Sequence, residues 1–203
     1  MAEDIIQMCP LHFEDDGTLF FEEDQGLEAD SFKKSEKGKA AQIFRNQENH
    51  VLIVRPEDNA DAMAAFEPMT DEEMQNEPGI SLNIHIYQDT NLRGLPVAFS
   101  TKWNGETYIM QIVKDGSNMR VAFRPRDVPE FIPGEKSDML FFKTPFSKGD
   151  RQFYRFESSL EQGYFLAFER NERNRVTQLV IKRMDGIDET TKLHTSPLPR
   201  KKI

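Results

Sequence analysis

From residue 41 to residue 195 the chain changes direction every few residues. Short runs rich in Ile, Val, Phe and Tyr are broken by Asn91 to Gly94, Asn104-Gly105, Asp115-Gly116, Pro133-Gly134 and Lys148-Gly149-Asp150. Such pairs mark tight turns between strands and leave no room for a long helix. Ile80, Leu82, Ile84 and Ile86 alternate with Ser81, Asn83, His85 and Tyr87, the period of a half-buried strand. His85 falls on the polar side and is expected at the surface. The run Phe156 to Phe168 reads as strand, tight connection closed by Gly163, and a second strand apolar on both faces, with Phe165 and Leu166 in the core. Val176 to Ile181 follows as a third strand of the same meander.

About twelve strands emerge: 42–45, 50–54, 64–66, 80–87, 96–102, 107–113, 119–123, 139–143, 152–156, 164–168, 176–181 and 192–195. Two brief helical turns are expected, at Thr70 to Met74 with Thr70 as N-cap and at Pro125 to Val128. Twelve short strands imply a closed or sandwiched all-β fold. Twelve also divides into three fours, as in a β-trefoil, but strand count alone does not separate trefoil from sandwich. The predicted core includes Leu82, Ile84, Phe141, Phe165, Leu166, Leu179 and Ile181.

Charge divides the chain again. Residues 1–30 hold ten acidic residues and no Lys or Arg, whereas the remainder holds 25 acids and 26 bases. The acidity belongs to a separable tail or pro-segment, 1–30, ahead of a nearly neutral body, 31–195. Cys9-Pro10-Leu11-His12-Phe13 and Thr18-Leu19-Phe20-Phe21, joined across Asp16-Gly17, suggest a marginal hairpin leaning on the body. Leu27-Glu28-Ala29-Asp30, followed by Ser31, suits a protease that cuts after Asp; Asp16 and Asp24 are competing positions. Lys33, Lys34, Lys37 and Lys39 with Gly38 read as a solvated linker able to pair with acidic groups. Residues 196–203 read as a disordered basic tail.

The N-terminus lacks the basic and apolar regions of a signal peptide, so cytosolic synthesis is expected. Cys9 is the only cysteine. No disulfide within the chain and no Cys-rich zinc site is therefore expected. The four histidines are scattered and there is no phosphate loop or nucleophile elbow, so neither a cofactor nor an enzymatic activity is expected. Asp71-Glu72-Glu73 reads as a solvated helix start rather than a metal site. The near-neutral body disfavours nucleic acid. No stretch is long enough to span a membrane.

The Phe156-x-Ser158 run with its aromatic-Leu strand resembles the C-terminal signature of the interleukin-1 family of cytokines. Other stretches carry the resemblance to its interferon-γ-inducing branch. They are Leu19 to Asp24, Leu27 to Asp30, Phe66 to Asp71, Tyr87-Gln88-Asp89 with Arg93 to Val97, and Lys136 to Phe142. The resemblance implies a β-trefoil monomer made as an inactive cytosolic precursor. An inflammatory caspase would cleave after Asp30, with Leu27, Glu28, Ala29 and Ser31 completing the site. Release would follow without a signal peptide. A two-chain immunoglobulin-like receptor would then bind it and drive interferon-γ and NF-κB responses; a soluble binding protein would be a further partner. Position by position, Arg45, Met69 and Asp71 fall on one face for the primary receptor chain. Lys34, Arg93 and Leu95 fall on a second face for that chain, and Arg124 and Asp138 on a face for the accessory chain. Loops 36–41, 57–64 and 169–175 are longer than the family pattern. The rival reading is an intracellular β-trefoil binding or inhibitor domain with an acidic regulatory tail. Against it, the body has no cysteine for the disulfides of trefoil inhibitors, and Trp103 lies outside a Gln-x-Trp lectin repeat.

Overall fold

The computed structural model describes residues 8–13, 19–23, 31–56, 62–88 and 93–199, the backbone alone in the first two segments. In chain order the elements are β1 (Met8–Phe13), β2 (Leu19–Glu23), β3 (Ser31–Lys34), β4 (Lys39–Asn46), β5 (Val51–Arg55) and β6 (Met63–Glu67). Helix α1 (Asp71–Asn76) and a 3₁₀ turn, Pro78–Ile80, lead to β7 (Leu82–Gln88), β8 (Leu95–Trp103), β9 (Glu106–Asp115) and β10 (Asn118–Pro125). Then come β11 (Phe131–Pro133), β12 (Phe141–Pro145), β13 (Tyr154–Ser158), β14 (Tyr164–Arg170), β15 (Thr177–Arg183) and β16 (Leu193–Pro197).

The pairings settle trefoil against sandwich. Strand β4 pairs with β7, β7 with β8, β8 with β12, β12 with β13, β13 with β16, and β16 returns to β4. That is a closed six-stranded barrel. Six further strands form three hairpins, β5–β6, β9–β10 and β14–β15. Each hairpin lies in sequence between two barrel strands. The hairpins meet one another: Thr177 of β15 pairs with Phe66 of β6, and Ala62 bridges to Phe123 of β10. The unit of barrel strand, hairpin, barrel strand thus occurs three times, which is the β-trefoil plan.

Side-chain alternation explains what fills the barrel. Inward residues of successive strands form one cluster that includes Phe44, Leu82, Ile84, Phe99, Phe141, Phe156, Leu166, Leu179 and Ile181. Phe99 lies at its centre, with ring centroids 5.3 Å from Phe44, 5.4 Å from Phe156 and 6.1 Å from Phe141. Outside the barrel a second cluster gathers Phe32, Tyr87, Ala98, Ile109, Ile132, Met139, Leu140 and Phe142. Strands β3 and β11 close over it, and β3 also pairs with β7. A third cluster, Ile43, Val51, Ile53, Met74 and Ile80, lies under α1.

Several expectations change. The lysine-rich linker begins as strand β3, with Ser31 and Phe32 buried, because Phe32 has a place against Phe142, ring centroids 6.3 Å apart. Phe165 is half-exposed: it lies on the outer side of β14, beneath the Arg155 guanidinium at 5.4 Å. Pro125 to Val128 is not helical, since the Arg126 N–H donates to Thr107 O and extends the β9–β10 ladder instead. Ile80 ends a 3₁₀ turn whose Gly79 N–H is capped by Glu77, so its strand starts at Leu82. At the C-terminus, β16 runs to Pro197, past the boundary placed at Thr195. Leu198 follows it onto the third cluster and donates its N–H to Ala41 O. Asp16-Gly17, residues 27–30 and residues 200–203 lie outside the described residues.

Candidate functional site

The first face is built by a helix cap. Thr70 ends the extended run after β6, its Oγ1 accepts from the Glu73 N–H at 3.3 Å, and Glu73 Oε2 accepts from the Thr70 N–H at 2.8 Å. This double cap starts α1 at Asp71 and holds Glu73 below its ordinary pKa. Met74 is driven into the third cluster, and Met69 packs half-buried against the same cluster. Arg45, from β4, places Nη2 3.2 Å from Met74 Sδ and donates through Nη1 to Asn49 O at 3.0 Å. Partial burial lowers the Arg45 pKa, and the charge of the exposed Asp71 raises it. Arg45, Met69 and Asp71 are thereby brought onto one surface by two elements far apart in sequence.

The second set is less unified. Lys34, on β3, makes an ion pair with Glu130 at 2.7 Å. Arg93 lies with its guanidinium 4.7 Å from the ring centre of Phe142, outside the barrel. Leu95 packs instead against the main core, opposite Lys143. Gly94 allows this change of side: its φ is 146°, and a Cβ there would lie 2.9 Å from Thr144 Cγ2 and 3.0 Å from Lys143 O.

In the third set, Arg124 stands opposite Ile109 on the β9–β10 hairpin. Asp138 comes to the same hairpin from the chain before β12. Its Oδ2 accepts from Gln111 Nε2 at 3.1 Å, and its backbone O accepts from the Ile112 N–H at 2.7 Å. Antiparallel pairing puts Arg124 on the Gln111 side of the hairpin, so Arg124 and Asp138 share a surface.

His85 departs from the surface position expected of it. Its Nε2 lies 2.8 Å from Ser100 Oγ. Burial, aided by the Lys34 charge, pushes its pKa down to about 4. It forms one wall of a cleft of about 260 Å³ lined also by Lys34, Ser35, Glu36, Gly38 and Glu130. Among the described residues no group of three or more His, Cys, Asp or Glu side chains is placed to hold a metal. None of their helices is long and apolar enough to cross a membrane. The sequence reading also missed Arg155 and Glu157, which flank the inward Phe156 and therefore point outward. That alternation was available as a signal.

The model of the family described as Interleukin-1 / 18 matches residues 72–193. The chain is 40% identical to interleukin-18 of Gallus gallus over 97% of its own length and 96% of the relative's. This chain belongs to the interleukin-1 / 18 family. It is 31% identical to interleukin-18 of Homo sapiens over 89% of this chain and 88% of that one. Among solved structures, chicken interleukin 1 beta superposes with a TM-score of 0.57 at 18% identity, covering 81% of this chain and 99% of that chain. The chain is thus a receptor-binding cytokine of the interleukin-1 family with the β-trefoil fold, and not an enzyme.

Proposed function

We propose that the chain is the latent precursor of an interleukin-18-like cytokine. An inflammatory caspase cuts it after Asp30, between the acidic pro-segment 1–30 and the β-trefoil body. The released body binds a two-chain immunoglobulin-like receptor through two faces for the primary chain and one for the accessory chain. Signalling leads to interferon-γ and NF-κB responses, and a soluble binding protein competes for the same surface. Synthesis is cytosolic and release needs no signal peptide.

The observation that carries this reading is the extent of the relationship. The match to Gallus gallus interleukin-18 spans 200 residues and so takes in most of the acidic segment as well as the body. The gathering of Arg45, Met69 and Asp71 by the capped helix supports the first receptor face. For the protease, Asp30 supplies the carboxylate that an Asp-directed pocket needs, and Leu27 and Glu28 suit the neighbouring subsites. The test uses reporter cells carrying both interleukin-18 receptor chains. Caspase-1-treated full-length chain is expected to signal. The untreated chain and an Asp30→Ala chain treated in the same way are expected to be silent. An Asp30→Ala chain that stays uncut yet signals as strongly as the cut parent refutes the latency mechanism.

A further inference from the structure

Strand β13 turns Phe156 into the barrel, leaving Arg155 and Glu157 on the outer wall. Glu157 stands opposite Phe142 of β12 and Phe165 of β14. Those two rings are the platforms for two guanidinium groups, Arg93 at 4.7 Å from the Phe142 centre and Arg155 at 5.4 Å from the Phe165 centre. Glu157 sits between them. Its Oε1 accepts from the Gly163 N–H at 2.7 Å and lies 3.9 Å from Arg93 Nη2. Arg155 has no ion pair among the described residues.

One nitrogen of each arginine is in an unusual position. Arg93 Nη2 and Arg155 Nε are both shielded from water, yet neither has a hydrogen-bond acceptor. A guanidinium cannot shed its proton, so an N–H without an acceptor stays a cost until something supplies one. Both guanidinium groups already lie over rings, which limits their freedom and leaves less to order when a planar acceptor is engaged. The charge of the trio is one positive in excess, which a single carboxylate balances.

We propose that Arg93 and Arg155 together take one carboxylate side chain of the protein partner that covers this wall. The proposal rests on the reading that Arg93 belongs to a receptor face, and it adds Arg155 as a residue determining specificity there. A carboxylate fits better than a sulfated glycan, because two forks around one fixed acid suit a single planar acceptor. A polyanion needs a broader field of cations. Glu157 makes the site selective: it repels an incoming carboxylate unless both arginines are present, so losing either should cost nearly as much as losing both.

The test measures binding of the caspase-cut full-length chain to immobilised ectodomain of the primary interleukin-18 receptor chain. Arg155→Gln is expected to weaken binding about 30-fold or more, mainly through faster dissociation, as truncation of one member of a shielded charge pair does. Arg155→Lys, which lacks the fork, should restore little. The Arg93→Ala/Arg155→Ala pair should fall well short of the product of the single effects, because the two share one acceptor. Glu157→Gln, which keeps a carbonyl for Gly163, should tighten binding. Unchanged melting temperatures separate all of this from misfolding. If Arg155→Gln binds as tightly as the parent while Met69→Ala weakens binding, the carboxylate site is refuted and the receptor reading stands. A cut parent that does not bind the ectodomain refutes both. Heparin retention lost on Arg155→Gln with receptor binding unchanged would assign the wall to a glycan and overturn the proposal.

Discussion

Cleavage after Asp30 should be limited by the strand that follows it. Ser31 pairs with Pro133, Phe32 with Ile132 and Lys33 with both Phe131 and Gln88, so β3 is hydrogen-bonded on both edges. Phe32 is 2% exposed in the second cluster. A protease that reads an extended peptide on both sides of the scissile bond cannot engage Ser31 and Phe32 while they are buried, so β3 must first detach. Phe32→Ala removes the side chain that anchors the strand. Phe→Ala truncations in cores cost about 3–5 kcal/mol, and the lower end, about 3, applies because a four-residue strand can relax around the gap. At 1.4 kcal/mol per tenfold, the detached population should rise about 100-fold. Where opening is fast relative to cutting, the rate follows that population. Caspase-1 digestion of the full-length chain, followed by mass spectrometry, should therefore run about two orders of magnitude faster for Phe32→Ala at low enzyme, the regime in which rate tracks the open fraction. Free peptides spanning residues 24–37, with and without the substitution, correct for any preference of the enzyme at that position. Amide exchange at residues 31–34 reports the opening directly. If exchange accelerates while cleavage does not, the strand is no gate and the argument fails.

Two further outcomes follow. Thr70→Ala removes the cap of α1 and should cost about 1 kcal/mol in denaturant unfolding. It should also weaken receptor binding through displaced Met69 and Asp71, and Thr70→Ser should recover most of both losses. His85, neutral in the folded protein down to about pH 4 against an ordinary 6.5, binds its proton more readily once unfolded. Stability should consequently fall as pH drops from about 6.5 to about 4; His85→Gln should flatten that part of the unfolding curve, and an unchanged slope would count against the burial of His85.

The barrel and hairpin strands were legible in the sequence because each is a short alternating or continuously apolar run, most of them bounded by Asn, Gly or Pro. Their closure into a barrel was not, because pairings such as β16 with β4 join segments about 150 residues apart and leave no local mark. Strands β3 and β11 escaped notice for a related reason. Each is three or four residues long, charged or Pro-bounded, and is a strand only because the second cluster outside the barrel wall has room for Phe32 and Ile132. His85 obeyed the alternation but not its usual meaning, since the layer formed by β3 and the chain near Glu130 covers the polar side of β7 there. Of the candidate faces, Arg45, Met69 and Asp71 were grouped in the sequence by the family resemblance alone; the reciprocal Thr70 and Glu73 cap that starts α1 at Asp71 was not read there beyond Thr70. The division of Arg93 from Leu95 depended on the positive φ of Gly94, which sequence alone did not reveal.

The barrel is completed by its last strand. Until Leu193 to Pro197 has been synthesised, β4 lacks its partner over residues 42–46 and β13 lacks one at Tyr154. No earlier part of the chain can take the place of β16 without breaking the threefold plan. The barrel should therefore be unable to close before β16 has been made, and until then the body carries incompletely paired edges, the condition in which β-rich chains self-associate. Chains ending before β16 should accumulate as aggregates rather than as a smaller working cytokine.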